Sequence, residues 1–186
     1  MTDPPMLELR RATPADAPAL ASVHIRSWQE TYAGLMPDGV LESMTDQAAL
    51  DRRTQLWQGI LTKGAELVFV AVRGGEVVGF TSGAAGTFLT SNSLTDDFTA
   101  DAELSTLYLL KSAQGRGTGR ALLRALAAEL AARGNRSLLL WVLANNPARA
   151  FYEHLGGAVV GERQEKVSGA VLNEVAYGWS DLRALL

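Results

Sequence analysis

Apolar and polar residues alternate over Leu7-Glu8-Leu9-Arg10-Arg11-Ala12, which predicts a first strand. The period then lengthens. Leu20, Val23, His24, Ser27, Trp28 and Thr31 fall along one side of a helix that ends near Ala33-Gly34. Thr13 is its expected N-cap, Pro14 its first helical residue, and Asp16 stands where an acidic capping box would put it. One or two further helices follow over 37–62, with Leu41, Met44, Leu50, Leu56, Trp57, Ile60 and Leu61 as core candidates. Strands are predicted over 66–72 and 76–83, joined by a hairpin turn at Gly74-Gly75. The stretch 87–100 is polar and reads as a mobile loop.

Glu103 to Leu110 is the next strand. A helix behind it runs to about Arg133, with Leu122, Leu123, Leu126, Ala127, Leu130 and Ala131 as its apolar stripe and Gly134 as its stop. Ser137 to Leu143 is nearly all apolar, as in a strand buried on both faces. Asn145-Asn146-Pro147-Ala148 caps a short helix through Phe151, Tyr152 and Leu155, closed by Gly156-Gly157. Two final strands, 159–167 and 171–179, flank a turn at Ser168-Gly169. Strand, helices, three strands, helix, strand, helix and two strands make a mixed α/β layer with helices on both faces. No linker is visible, so 1–186 is expected to be one domain.

Composition removes several chemistries. The 186 residues include no cysteine, which excludes disulfides, thiolate nucleophiles and Cys-based zinc sites; with two histidines, a His-rich metal site is not expected either. A net charge of −3 argues against a general nucleic-acid binder, although Arg116, Arg120 and Arg124 could form a local basic patch. Residues 1–8 lack an apolar signal region, and no apolar run approaches a membrane span. A cytoplasmic chain is expected.

The run Gln114-Gly115-Arg116-Gly117-Thr118-Gly119-Arg120 sits between a predicted strand and a predicted helix. Three alternating glycines let the backbone turn with few Cβ clashes. Their amides can then face outward at the positive end of the helix, where a phosphate or pyrophosphate binds. A purely structural turn is the plainer alternative. A P-loop would need Gly-Lys-Ser/Thr, but Arg120-Ala121 follows Gly119. A dinucleotide fold would put its glycines early in the chain, in a different spacing.

Gln114, Gly117 and Gly119 do fit Q/R-x-x-G-x-G/A, and with this run the chain resembles the GNAT superfamily of N-acetyltransferases. Leu107-Tyr108-Leu109 sits where that family has the strand before the loop. The run Asn146-Pro147-Ala148-Arg149-Ala150-Phe151-Tyr152-Glu153-His154-Leu155-Gly156 looks like its second signature. The likeness is strongest over 103–157. It implies a GNAT-like, mostly antiparallel central sheet, with a donor-binding core at 66–157, N-terminal helices at 1–65 bordering the acceptor cleft, and terminal strands at 158–186.

The resemblance implies acetyl-CoA as co-substrate, with its pyrophosphate on Gln114, Gly115, Arg116, Gly117, Thr118, Gly119 and Arg120. A backbone amide of Leu107 or Leu109 would polarise the thioester carbonyl, and Asn146 and Tyr152 would also touch the cofactor. Transfer to an amine needs a base, since an alkyl ammonium has a pKa near 10. Glu103 is the candidate, with Asp101 and Glu30 as competitors. Tyr152 is the candidate acid for the departing thiolate, and aromatic packing is its alternative. Trp28, Glu30 and Tyr32 border the expected acceptor cleft, where Trp28 and Tyr32 share a helical face at i and i+4. His24 on that face reads as structural. Acids for a cationic amine include Asp38, Asp96 and Asp97. The implied function is acetyl transfer to a primary amine of a small molecule or peptide, without metal, nucleic acid or membrane. A non-catalytic acyl-CoA sensor of the same fold is the alternative. The terminal strands or the apolar C-terminus offer a homodimer surface.

Overall fold

The alternating segment at the start of the chain forms β1 (Leu7–Arg11), antiparallel to β2 (Leu67–Arg73), with Leu7 opposite Arg73 and Arg11 opposite Phe69. The computed structural model describes residues 6–89, 98–167 and 170–186. Five further strands follow: β3 (Glu76–Leu89), β4 (Thr99–Leu109), β5 (Leu138–Leu143), β6 (Ala158–Val167) and β7 (Ala170–Trp179). They make a seven-stranded sheet in the order β1-β2-β3-β4-β5-β7-β6. The pairings β1–β2, β5–β7 and β6–β7 are antiparallel, and β4–β5 is parallel. The helices are α1 (Ala17–Tyr32), α2 (Asp38–Thr45), α3 (Gln47–Lys63), α4 (Thr118–Ala132) and α5 (Arg149–His154). The element order matches the sequence pattern, and the sheet is the mixed, mostly antiparallel one expected.

The backbone divides into two compact units. The first is Met1–Ser82 with Thr106–Leu126. Its core gathers Leu20 and Val23 of α1, Trp57 of α3, Val68, Val70 and Val72 of β2, Phe80 of β3, and Leu110. A single turn of 3-10 helix, Pro14–Asp16, precedes α1. The Asp46 carboxylate accepts from the Ala49 N–H at 2.6 Å and caps α3. Gly64, at φ 63°, closes that helix in the left-handed conformation glycine adopts without strain. Thr81 and Ser82 are fully buried, and their hydroxyls are satisfied by the Thr106 carbonyl and hydroxyl. Leu56, expected in the core, is 57% exposed; Trp57 beside it takes the inward position.

The second unit is Gly83–Ser105 with Ala127–Leu186. β5, the nearly uninterrupted apolar run, is buried at five of its six positions. β7 lies between β5 and β6, so that Val142 and Glu162 both stand opposite Val175. A bulge interrupts β6 between Val159 and Gly161. Gly157 and Gly178 leave no room for a side chain, because a Cβ would lie 2.7 Å from the Trp179 ring and 2.8 Å from Phe98 respectively.

The expected loop over 87–100 is a correction. β3 continues to Leu89 and β4 begins at Thr99. Ala100, Ala102 and Leu104 alternate inward, each at most 4% exposed, and small alanines hid that period in the sequence. Residues 90–97, with Asp96 and Asp97, lie outside the described residues, as does the turn expected at Ser168-Gly169. Among the described residues, no helix is long and apolar enough to cross a membrane.

Asp16 fastens the start of α1. Its carboxylate takes two hydrogen bonds from the Arg10 guanidinium, at 2.8 and 2.9 Å, and accepts from the Thr13 N–H at 2.7 Å and the Thr13 hydroxyl at 3.0 Å. The Arg10 bonds, then those from Thr13, outweigh the cost of burial and hold the carboxyl at about 2. A depressed carboxyl stabilises the fold above its unfolded value near 3.8, and that contribution is lost as pH falls toward 2. Asp16→Asn should therefore cost about 1–2 kcal/mol at pH 7, allowing for the partly exposed arginine. Urea unfolding should show the gap between parent and variant shrinking from pH 4 downward. Equal midpoints at pH 7 would refute this role.

Candidate active site

The glycine run leaves β4 through a 3-10 turn, Lys111–Ala113, and enters α4 at Thr118. Gly115 and Gly117 hold the left-handed φ values of 69° and 78°, which other residues adopt only with strain. Gly119 does not share this role, because it lies in the first turn of α4. The first amide to bond is Ala121's, which donates to the Gly117 carbonyl at 3.0 Å. Among the described residues, the N–H groups from Gly115 to Arg120 have no protein partner. The Thr118 side chain is 1% exposed and its hydroxyl also lacks a partner. Arg116, Arg120 and Arg124 are exposed and form no ion pair among the described residues, and 111–120 contains no acid. A surface of donors and cations without acceptors suits an anion with several oxygens. These residues therefore fit the pyrophosphate of a coenzyme A.

Side chains pin the approach to this loop. The Gln114 amide donates to the Leu109 carbonyl at 3.2 Å, tying the loop to the end of β4. Glu30, at the end of α1, accepts from the Lys111 N–H at 2.7 Å. Its carboxylate therefore anchors the strand-to-loop junction through Oε2. Nothing local in the sequence marks that bond, since 81 residues separate the partners. Gly79 admits β4 closely: a Cβ there would lie 3.0 Å from the Tyr108 carbonyl and from the Leu109 side chain.

An aromatic cluster lines the first unit beside this strand. Tyr108 stacks on His24 with ring centroids 4.3 Å apart, and meets Phe80 edge-on at 5.6 Å. Trp57 packs edge-on to Phe80 at 5.0 Å, and Trp28 leans on Tyr32 at 4.8 Å. Trp28 and Tyr32 thus share the face their spacing predicts; Tyr32 is 5% exposed and Trp28 is partly buried. Burial, and then the nearby Arg53 charge, push the His24 imidazole down to about 3, so it is neutral at ordinary pH. That agrees with a structural histidine.

In the second unit, Glu103 is partly buried on β4 and stands opposite Leu139 of β5 in the parallel pairing. Asp101, its competitor, is fully engaged. Its carboxylate accepts from the Arg136 N–H, the Ser137 N–H and the Ser137 hydroxyl, and its carbonyl from Asn135. Burial raises its pKa, but these hydrogen bonds prevail and hold it below the ordinary carboxylate value. Asp101 thus anchors the chain at 135–137 to β4. Asn146 is corrected: the N-cap of α5 is Ala148, and the Asn146 side chain instead accepts from the Ala148 N–H at 2.8 Å in a turn before the helix. Tyr152 is 6% exposed, with its ring among Phe151, Tyr177 and Trp179. Next to Tyr152 on α5, Glu153 accepts from the Tyr177 hydroxyl, which also receives the Arg149 Nε–H at 3.1 Å. The helical signature therefore orders an aromatic core that includes Tyr152. Among the described residues, no group of three or more acids and histidines is placed to hold a metal ion.

Comparison with known proteins joins these observations. The acetyltransferase (GNAT) family model matches residues 25–157. The uncharacterized N-acetyltransferase YuaI of Bacillus subtilis (strain 168) is 35% identical over 181 residues, which is 97% of this chain and 96% of that protein. Among solved structures, a GCN5-related N-acetyltransferase of Rhodopseudomonas palustris superposes with a TM-score of 0.73 at 22% identity, covering 97% of this chain and 99% of that one. The structure of YncA from Salmonella typhimurium with its cofactor acetyl-CoA superposes with a TM-score of 0.63 at 20% identity, covering 94% and 93%. At those identities the two solved structures share the fold. The family match and the near full-length relative go further: the chain belongs to the acetyltransferase (GNAT) family and is an N-acetyltransferase.

Proposed function

We propose that this enzyme transfers the acetyl group of acetyl-CoA to a primary amine of a small molecule or peptide, by direct attack of the amine on the thioester. The observation that carries the donor half is the run of unpartnered N–H groups from Gly115 to Arg120, with the buried, unpaired hydroxyl of Thr118 among them. Each amide donating to a charged phosphate oxygen contributes roughly 1.5–3 kcal/mol. Arg116 and Arg120 add charge. Acetyl-CoA supplies an acetyl group activated as a thioester.

The remaining tasks fall to the chain. An amide of Leu107 or Leu109 donates to the carbonyl that gains charge during attack, a fixed dipole that needs no reorganisation. Glu103 takes the proton of the ammonium, directly or through water, so that the neutral amine attacks. Tyr152 gives a proton to the leaving thiolate. The amine site borders α1, where Trp28 and Tyr32 pack together.

A thermal-shift assay tests the donor half. Coenzyme A should raise the melting temperature, and ATP or NAD at equal concentration should not; equal shifts from all three would refute the assignment. In assays of thiol release, Tyr152→Phe should lower kcat at least tenfold while leaving the KM for acetyl-CoA within about twofold. An unchanged kcat removes Tyr152 as the acid. Glu103→Gln should abolish the acid limb of the pH–rate profile. A profile that superposes on the parent's assigns the base elsewhere.

A further inference from the structure

The aromatic cluster of the first unit carries a chemical imbalance. Three buried nitrogens that can only donate have no partner: Trp28 Nε1, Trp57 Nε1 and Arg53 Nε. The Nδ1 of His24 is unpartnered too. Buried polar groups are almost always satisfied, and a group of orphans calls for an explanation. Here the deficit is one-sided. Three of these four atoms can only donate, and none of them meets an acceptor among the described residues.

These atoms belong to one neighbourhood. His24 and Trp28 lie one turn apart on α1, with ring centroids 6.1 Å apart. Arg53 and Trp57 lie one turn apart on α3, so they share a helical face. Phe80 joins the two helices, with its ring 6.5 Å from His24 and 5.0 Å from Trp57. Tyr108, on the strand whose amides face the thioester in the reading above, stacks on His24. The Arg53 charge acts on His24 and Tyr108, in keeping with its place one turn from Trp57 on α3.

Arg53 is also unpaired as a charge. Its side chain is partly buried, yet among the described residues no carboxylate pairs with it. Arg10, Arg133, Arg149, Arg163 and Arg183 each have an acid within 4.0 Å; of the arginines without an ion pair among the described residues, only Arg53 and Arg73 are partly buried, and Arg53 alone belongs to the aromatic cluster. Desolvating a guanidinium without a counter-charge is costly, and a ligand that supplies the charge recovers that cost. His24 is neutral, Arg52 next in sequence adds a second cation, and no carboxylate is among the charges that act on Arg53, so the cluster suits an anion. A planar carboxylate, accepting two parallel hydrogen bonds, is the geometric match for a guanidinium fork.

We propose that Arg53 receives a carboxylate on the substrate amine, so that the acetyl acceptors of this enzyme are amino acids and similar small molecules bearing both an amine and a free carboxylate. This rests on the acetyl-transfer reading and narrows it. The neighbouring rings of Trp28 and Tyr108 would flank the carbon skeleton, and the indole N–H groups would share in binding the carboxylate.

The test pairs each L-amino acid with its own C-terminal amide, which keeps the amine and removes the negative charge. Thiol release from acetyl-CoA should show kcat/KM at least tenfold higher for the preferred acid than for its amide. In Arg53→Gln this ratio should fall to near one, through the acid's KM and not through the KM for acetyl-CoA. Arg53→Lys, which keeps the charge but not the fork, should fall between. A second readout needs no turnover: the preferred acid should raise the melting temperature of the parent–coenzyme A complex and not that of the Arg53→Gln complex. An acid–amide ratio at or below one in the parent overturns the proposal, whatever the variants do. So does an acid preference that survives Arg53→Gln. Turnover of amides with no preference for acids leaves acetyl transfer standing and removes the carboxylate site. If no pair releases thiol while an acid shifts the melting temperature in an Arg53-dependent way, the transfer reading fails and the carboxylate site holds.

Discussion

A helix that begins without caps leaves its first backbone N–H groups with nothing to bond, and the donor site proposed for this enzyme depends on that deficit. At α3 the fold removes it, because the Asp46 carboxylate bonds the Ala49 amide. At α4 the fold preserves it. Two left-handed glycines turn the chain from strand to helix, and among the described residues the amides from Gly115 to Arg120 meet no protein oxygen. Side chains that could have competed are employed elsewhere: Gln114 reaches back to Leu109, and Glu30 holds the Lys111 amide. The junction is rigid on its strand side and unsatisfied on its helix side. That is a preorganised state for a diphosphate, whose binding then costs little rearrangement.

The parts of this arrangement that were readable in sequence are the local ones. Alternating glycines after an apolar strand mark a backbone needing φ > 0, and the spacing of Leu122, Leu123, Leu126 and Leu130 marks the helix behind them. Trp28 and Tyr32 were found together because i and i+4 share a face. What escaped was of two kinds. Ala100 and Ala102 bury fully but carry too little apolar surface to register as a strand, so β4 was begun too late. Other features are set by tertiary pairing and have no local signal. Nothing in the order of β5, β6 and β7 says that the last strand inserts between the other two. Nothing near Glu30 or Asp101 shows that their partners lie 81 and about 35 residues away.

Acids and arginines separate here by what they bond. The two acids that compete with Glu103 as base, Asp101 and Glu30, hold backbone amides in place. Asp16 and Glu153 are spent on side-chain networks. Arginine divides the other way. Most arginines near an acid are paired, whereas those of the glycine loop and Arg53 on α3 are not. The glycine loop and Arg53 thus keep unpaired positive charge in a chain whose overall charge is −3.

The Asp101 clamp has a consequence for how this chain can vary. One side chain grips the amides of both Arg136 and Ser137, and the Asn135 amide grips the Asp101 carbonyl in return. β5 starts immediately afterwards, at Leu138, and pairs with β4 at Glu103 and Leu139. Side chains alternate across a strand, so a single residue inserted or deleted between Gly134 and Leu138 would shift β5 by one place and turn its inward set outward. Descendants of this sequence can therefore exchange residues in that short connection but not change its length. Sequence drift there is confined to substitution, however freely other surface turns grow or shrink.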